Sequence, residues 1–173
     1  MVAVGLLATA LVTLAQLFGI STRSNMASRS TTYAAVLAEQ KLEELRALTW
    51  GFDSDNLPMS DTTTNTAVSP EQALGGRGLE PSPLTALQEN TRGYVDYVDQ
   101  FGNKVGQGDV VPPDNAIYTR RWSITPLPTN PNNTLIIQVL VTRYRARGSA
   151  DEGAVARLPE ESRMMTVKTR KAQ

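Results

Sequence analysis

The sequence predicts an α+β fold, in which a long N-terminal helix packs its second half on an antiparallel β-sheet. Residues 1–20 contain no charged residue and no proline, and residues 21–50 continue as an amphipathic helical pattern. From residue 94 onward, apolar and polar residues alternate in short runs that are typical of strands. The chain has 173 residues, enough for one domain at residues 51–173 together with an anchoring helix.

The apolar segment Met1–Ile20 has the length of a membrane-spanning helix. About 20 apolar residues cross the roughly 30 Å hydrocarbon layer of a bilayer, and the polar residues here are Thr9, Thr13 and Gln16. A cleaved signal peptide would begin with basic residues, and none precedes this run. A buried core helix, the second alternative, would need a larger protein around it. We therefore predict a membrane anchor at residues 1–20.

Residues 21–50 are predicted to continue the helix and to pack on the sheet. Their apolar positions trace one helical face. These positions are Ala34, Leu37, Ala38, Leu42, Leu45 and Leu48. A helix from Met1 to Thr49 would be roughly 73 Å long, whereas a domain of about 120 residues has a radius of gyration of roughly 14 Å, so one half must project. Gly5, Gly19 and residues 21–32 are predicted points of bending or local melting.

The remainder is predicted to be a loop followed by an antiparallel meander. Residues 51–89 are rich in proline and glycine, and we expect a loop with at most one helical turn near residues 70–74. The predicted strands are Tyr94–Val98, Ile117–Thr125, Thr134–Tyr144 and Arg163–Thr169, with a loop at 147–156. The apolar run of the third strand indicates a central position, and the last strand places Met165, Val167 and Thr169 on one face. Packing the helical stripe across the sheet buries one face of each element.

Composition argues against most catalytic and nucleic-acid-binding classes. Lys plus Arg and Asp plus Glu both number 17, so there is no basic excess of the kind that nucleic acid selects. The chain contains neither cysteine nor histidine, which removes the common zinc sites and the Cys–His and Ser–His nucleophile pairs. We predict a protein that is not an enzyme and has no cofactor or metal.

Three polar clusters have a functional and a simpler interpretation. Arg120, Arg121 and Trp122, with Arg143 and Arg145, resemble a basic patch, but alternation splits them between two faces, and we interpret them as a solvated strand face. Asp96 and Asp99 are interpreted as surface residues. An oxygen-rich cluster in the first loop lacks the spacing of a calcium loop and is interpreted as solvated. It comprises Asp53, Asp55, Asn56 and Asp61.

The first fifty residues resemble the N-terminal helix of type IV pilin-like proteins. The run VAVGLLATALVTLAQLFGI is followed by AAVLAEQKLEELRAL. The likeness is greatest to minor pilins and to the minor pseudopilins of type II secretion, in which a stretch A-x-x-L-A-x-x-K-L-E-E-L-R follows the apolar segment. Here this stretch is Ala34–Arg46. Beyond about residue 50, only the order of a loop and then antiparallel strands agrees.

The resemblance implies a structural subunit that is anchored in the bacterial inner membrane, with its sheet domain in the periplasm. Such subunits are extracted into a filament whose core is a bundle of their helices. The implied partners are other pilin or pseudopilin subunits, an inner-membrane assembly platform, prepilin peptidase and the lipid bilayer. The implied membrane and assembly residues are Ala3, Gly5, Leu7, Ala8, Leu11, Leu14, Ala15, Phe18 and Gly19. The small ones, together with Thr9, would let helices approach closely.

One departure from the family and one alternative function accompany this interpretation. The family carries a basic leader ending in Gly, then Phe-Thr-Leu, then a glutamate inside the apolar run, and this motif is absent here. We expect that the leader and the first mature residues precede Met1 in the gene; an upstream coding sequence without Gly-Phe-Thr-Leu-x-Glu would contradict this. The alternative function is a singly anchored periplasmic binding or sensor domain that does not polymerise. The sequence does not choose between a pilus and a secretion pseudopilus.

Overall fold

A computed structural model of the chain describes residues 2–143 and 161–170. Within these ranges one long helix packs against antiparallel sheets, which confirms the α+β class. The helix α1 spans Val2–Ala47. The strands are β1 (Trp50–Phe52), β2 (Pro58–Ser60), β3 (Val95–Val98), β4 (Lys104–Val105), β5 (Tyr118–Pro126), β6 (Thr134–Arg143) and β7 (Ser162–Thr169).

Helix α1 is continuous over 46 residues, a length of roughly 69 Å. The local melting expected at Gly5, Gly19 and residues 21–32 is wrong, because all of these residues are helical. Four hydroxyls in this segment, those of Thr22, Ser28, Thr31 and Thr32, donate to carbonyl oxygens four residues earlier, as in Thr22 to Phe18 at 2.9 Å. These four side chains are thereby satisfied within the helix, one turn back along the same chain.

The main sheet has five antiparallel strands in the order β4-β3-β5-β6-β7. Strand β6 lies between β5 and β7 and is not an edge strand, although β5 and not β6 is the central strand of the five. Val139 of β6 pairs with Trp122 on one side and with Met164 on the other. Tyr144, predicted to end β6, and the predicted loop at 147–156 lie outside the described residues.

The first loop contains more β-structure than the sequence indicated. Strands β1 and β2 pair as a separate hairpin, with Gly51 opposite Met59. Its turn forms because the Asp53 carboxylate accepts the backbone amides of Asp55 and Leu57. Residues 70–74 form no helical turn, which agrees with the prediction of at most one; the Asn65 amide donates to the Gln72 carbonyl at 2.8 Å, which forms an isolated bridge.

The core lies between the second half of α1 and the inner face of β5, β6 and β7. The structure places Ala34, Leu37, Ala38, Leu42 and Leu45 in this core and leaves Leu48 half-buried. The sheet contributes Trp122, Ile124, Leu135, Ile137, Val139 and Val141. Met165 and Val167 of β7 share the opposite, exposed face. The packed half of α1 therefore holds the helix on the sheet, and its other half extends away.

The end of α1 is tied to the far end of β7. The Lys168 ammonium donates hydrogen bonds to the carbonyl oxygens of Arg46 and Leu48. The last carbonyls of a helix have no partner within the helix, and a cation there also interacts favourably with the helix dipole. Strand β7 thus fixes the C-terminal end of the helix, which leaves the opposite end to project.

Candidate assembly surface

The first half of α1 projects from the domain with its apolar side chains exposed. Ser30 is the first buried residue of the helix, and the described side chains before it are exposed or, at Ala27, half-buried. The large apolar residues between Leu7 and Ile20 are each 54–68% exposed. They are Leu7, Leu11, Val12, Leu14, Leu17, Phe18 and Ile20. An apolar surface of this extent marks a site of contact with a membrane or another protein.

Small residues interrupt this apolar surface. A Cβ atom added at Gly5 or Gly19 would meet nothing within 4 Å. Ala3, Thr9 and Ala15 are exposed, and the side chain of Ala8 lies outside the described part of the chain. The hydroxyls of Thr9 and Thr13 donate to carbonyls one turn back, at 3.2 Å to Gly5 and 3.1 Å to Thr9, so these positions present methyl groups to a neighbour.

No helix among residues 2–143 and 161–170 combines the length and the apolar character needed to cross a membrane.

A buried cluster of charges holds the packed half of α1 to the sheet. The carboxylate of Asp96 on β3 accepts hydrogen bonds from both Nε and Nη2 of Arg120 on β5, at 2.6 and 2.8 Å. The Lys41 ammonium of α1 lies 2.9 Å from the same carboxylate and donates to the Thr66 carbonyl. All three charged side chains are essentially inaccessible to solvent. The cluster joins the helix to two strands and to the first loop.

The cluster overturns two interpretations made from sequence. Asp96 is not a surface residue, and Arg120 and Trp122 do not lie on a solvated strand face. Strand β3 is buried on both sides, which alternation alone does not reveal. On one side Asp96 meets Lys41 of α1, and on the other Val95 and Tyr97 pack with Val105 and Ala116. The one sequence feature that indicated a buried charge cluster was Lys41. It lies one turn from both Leu37 and Leu45 and therefore places a charge inside the apolar stripe.

Burial and charge act in opposite directions on this cluster. Burial lowers the pKa of Lys41 below its ordinary value, and the attraction of Asp96 offsets this only in part. Burial alone would raise the pKa of Asp96, but Lys41 and Arg120 outweigh it and the pKa lies below its ordinary value. Asp96 is therefore a carboxylate shared by two cations, an arrangement that fixes three elements in place.

The cluster extends to the surface through a chain of ion pairs. Lys41 is 3.1 Å from Glu44, Glu44 is 3.3 Å from Lys104, and Lys104 is 3.0 Å from Glu71. The Lys41 ammonium also lies 4.0 Å from the centre of the Trp122 ring, within range of a cation–π interaction. The packed half of α1 is therefore positioned by directional contacts as well as by its apolar stripe.

The other sequence candidates are not brought together. Arg121 lies on the opposite face from Arg120, as alternation predicted, and its Nε donates to Asn90 at 2.8 Å. Asp99 accepts the amides of Phe101 and Asn103 in a turn. Asp61 accepts the amide and the hydroxyl of Thr63. Arg145 lies outside the described residues.

No protein-family model, no curated protein and no solved structure matches this chain. Its function is therefore inferred from its own residues and geometry and from the resemblance carried by its N-terminal helix.

Proposed function

We propose that this chain is a structural subunit, a minor pilin or pseudopilin, of a type IV pilus or a type II secretion pseudopilus. The observation that carries the proposal is helix α1. Residues 1–20 carry no charge, and the described large apolar side chains between Leu7 and Ile20 are exposed where the helix projects from the domain. The second half of the same helix is fixed on the sheet by the apolar stripe and the buried charges. The fold is then pilin-like.

The side chains of the projecting half suit first the bilayer and then the helical bundle of a filament. Leucine, valine and phenylalanine side chains partition favourably into lipid, so the bacterial inner membrane would hold the subunit with its domain in the periplasm. Gly5, Gly19 and the neighbouring alanine residues let helix backbones approach closely once the subunit enters a helical bundle. Assembly through this surface requires other pilin or pseudopilin subunits and an inner-membrane assembly platform. Prepilin peptidase would mature the precursor.

A singly anchored periplasmic binding or sensor domain is the second candidate. It is favoured by a cavity of about 400 Å³ between the loops at residues 65–77 and 92–108, lined largely by polar residues. The polar lining includes Asn65, Gln72, Arg77, Arg92 and Gln107. Such a protein would also need the apolar helix, but only as an anchor, so the two candidates differ in whether close helix packing matters.

Replacing Gly5 and Gly19 by leucine should reduce assembly into filaments at least about tenfold while leaving membrane insertion unchanged. The added side chains meet nothing in the subunit itself, and leucine favours a helix more than glycine does. At a close helix contact, however, overpacking costs about 1–3 kcal/mol, and about 1.4 kcal/mol is a factor of ten in an equilibrium. The measurement is the share of full-length chain in sheared, sedimented filaments and in the membrane fraction of its native cells.

The matched control is Val12→Leu, which enlarges an exposed apolar side chain of the same helix. It should assemble like the unmodified chain. If the double glycine variant enters filaments as well as the control does, or if no filament contains the unmodified chain while membranes do, the subunit proposal fails and the anchored domain is favoured.

A further inference from the structure

A pocket of about 460 Å³ lies at the corner where α1 leaves the sheet. Its walls come from two turns of the helix and from the adjoining ends of β5 and β6. They are Met26, Arg29, Ser30, Tyr33, Tyr118 and Arg143. The rings of Tyr33 and Tyr118 meet edge to face with their centres 5.5 Å apart, and the hydroxyls of Ser30 and Tyr118 are 3.4 Å apart. The corner thus combines two guanidinium groups, two hydroxyls and an apolar wall.

The pocket lies on the side of the domain that faces the projecting half of α1. Ser30 is the first buried residue of the helix, so the domain begins at this pocket. Arg29 follows Ile20 by roughly 13 Å along the helix axis, and helical side chains lean toward the N-terminal end of their helix. A bilayer that surrounded residues 1–20 would therefore place its head groups beside this corner.

We propose that the corner pocket binds the head group of an anionic phospholipid. Guanidinium groups are well suited to phosphate because they donate paired hydrogen bonds, and Arg29 and Arg143 flank the pocket from two different elements. The hydroxyls of Ser30 and Tyr118 are hydrogen-bonded to each other, so one of the two can donate to a further phosphate oxygen.

The lipid, rather than a free anion, fits the rest of the pocket. Met26 is exposed, and of the residues that line the pocket it is the nearest along α1 to the apolar half, where the glycerol and upper acyl chain of a lipid would lie. Inorganic phosphate would leave this apolar side chain without a partner. This inference depends on the membrane-anchored state in the proposed function but not on filament assembly.

The test measures lipid binding by the full-length chain in micelles of a neutral detergent. The chain has no cysteine, so Asn25→Cys provides a single site beside the pocket for an environment-sensitive fluorophore. A short-chain phosphatidylglycerol should give a saturable change that short-chain phosphatidylcholine does not. The double variant Arg29→Gln, Arg143→Gln should bind roughly 100-fold more weakly, since a hydrogen bond from each arginine to the charged phosphate contributes at least about a factor of ten. Both arginines are exposed, so the fold should tolerate the change.

The matched control is Arg46→Gln, Arg163→Gln, which removes the same charge from exposed positions that do not line the pocket. It should change the affinity less than about twofold, and a fluorophore at Leu84→Cys should not respond. An equal loss in the control pair would show diffuse charge attraction, and inorganic phosphate binding as tightly as the lipid would show a simple anion site. Either result would overturn the proposal. Filament recovery of the glycine variants is read independently, so failure of assembly and failure of lipid binding are distinguishable.

Discussion

Replacing Asp96 by asparagine is expected to lower the free energy of unfolding by about 3–5 kcal/mol. The change keeps the shape of the side chain but leaves Lys41 and Arg120 buried without a counter-charge, and removing one partner of a buried ion pair costs this much. The carboxylate now contacts both cations at 2.6–2.9 Å with no solvent access. Denaturant unfolding followed by tryptophan fluorescence measures the loss, since Trp122 lies against the same cluster.

The comparison for this variant is Asp109→Asn. Asp109 pairs with Arg92 at 2.8 Å, but both side chains are more than half exposed. Exposed ion pairs contribute about 0–1 kcal/mol, so the control should lose no more than that. An Asp96 variant that loses as little as the Asp109 variant would show that the cluster does not hold the helix.

The contribution of Asp96 should also depend on pH in a defined direction. Its pKa in the folded protein lies below the ordinary value of 3.8, with burial opposing the shift and Lys41 and Arg120 producing it. A carboxyl group with a depressed folded-state pKa stabilises the fold above its unfolded pKa, and this stabilisation is lost as pH falls through the folded pKa. The difference between the unmodified chain and Asp96→Asn should therefore be full at neutral pH and shrink below about pH 4.

The helix and the principal strands could be predicted from sequence because their apolar residues repeat with a local period. The apolar stripe Ala34–Leu48 repeats within single turns of one helix, so no distant contact is needed to recognise it. The apolar character of the first half of α1 is likewise visible in a run of consecutive residues. The hairpin β1–β2 was not readable, because three-residue strands carry too few alternations to show a period.

The buried charges and the corner pocket depend on contacts between distant parts of the chain. Asp96 meets Arg120 because β3 and β5 pair in a register that places them directly opposite, 24 residues apart in sequence. A shift of one residue would send Arg121, not Arg120, to the inner face. Similarly, Arg29 and Arg143 meet only because β6 ends beside the turn of α1 that contains Ser30. Of these contacts, only the buried charge cluster was indicated by the sequence, through the charge of Lys41 within an apolar stripe.

Truncating Leu45 to alanine is the second large effect we expect, a loss of about 2–5 kcal/mol in the free energy of unfolding. Leu45 is fully buried between α1 and the sheet, and a buried leucine replaced by alanine loses its transfer free energy and leaves a cavity. Both residues are strong helix formers, so the loss reports packing and not helix propensity. Denaturant unfolding of the full-length chain in detergent measures it.

The expected losses in the free energy of unfolding differ among three positions of α1, which gives this prediction internal controls. Leu48 is half-buried and Val36 is 54% exposed, so Leu48→Ala should lose less than Leu45→Ala, and Val36→Ala should stay within about 0.5 kcal/mol. Equal small losses at all three positions would show a helix that does not need the sheet. Because α1 is continuous from Val2 to Ala47, this packing sets the direction in which the apolar half projects. A subunit with a loosened stripe would still present its exposed leucines, but no longer at a fixed angle to its own domain.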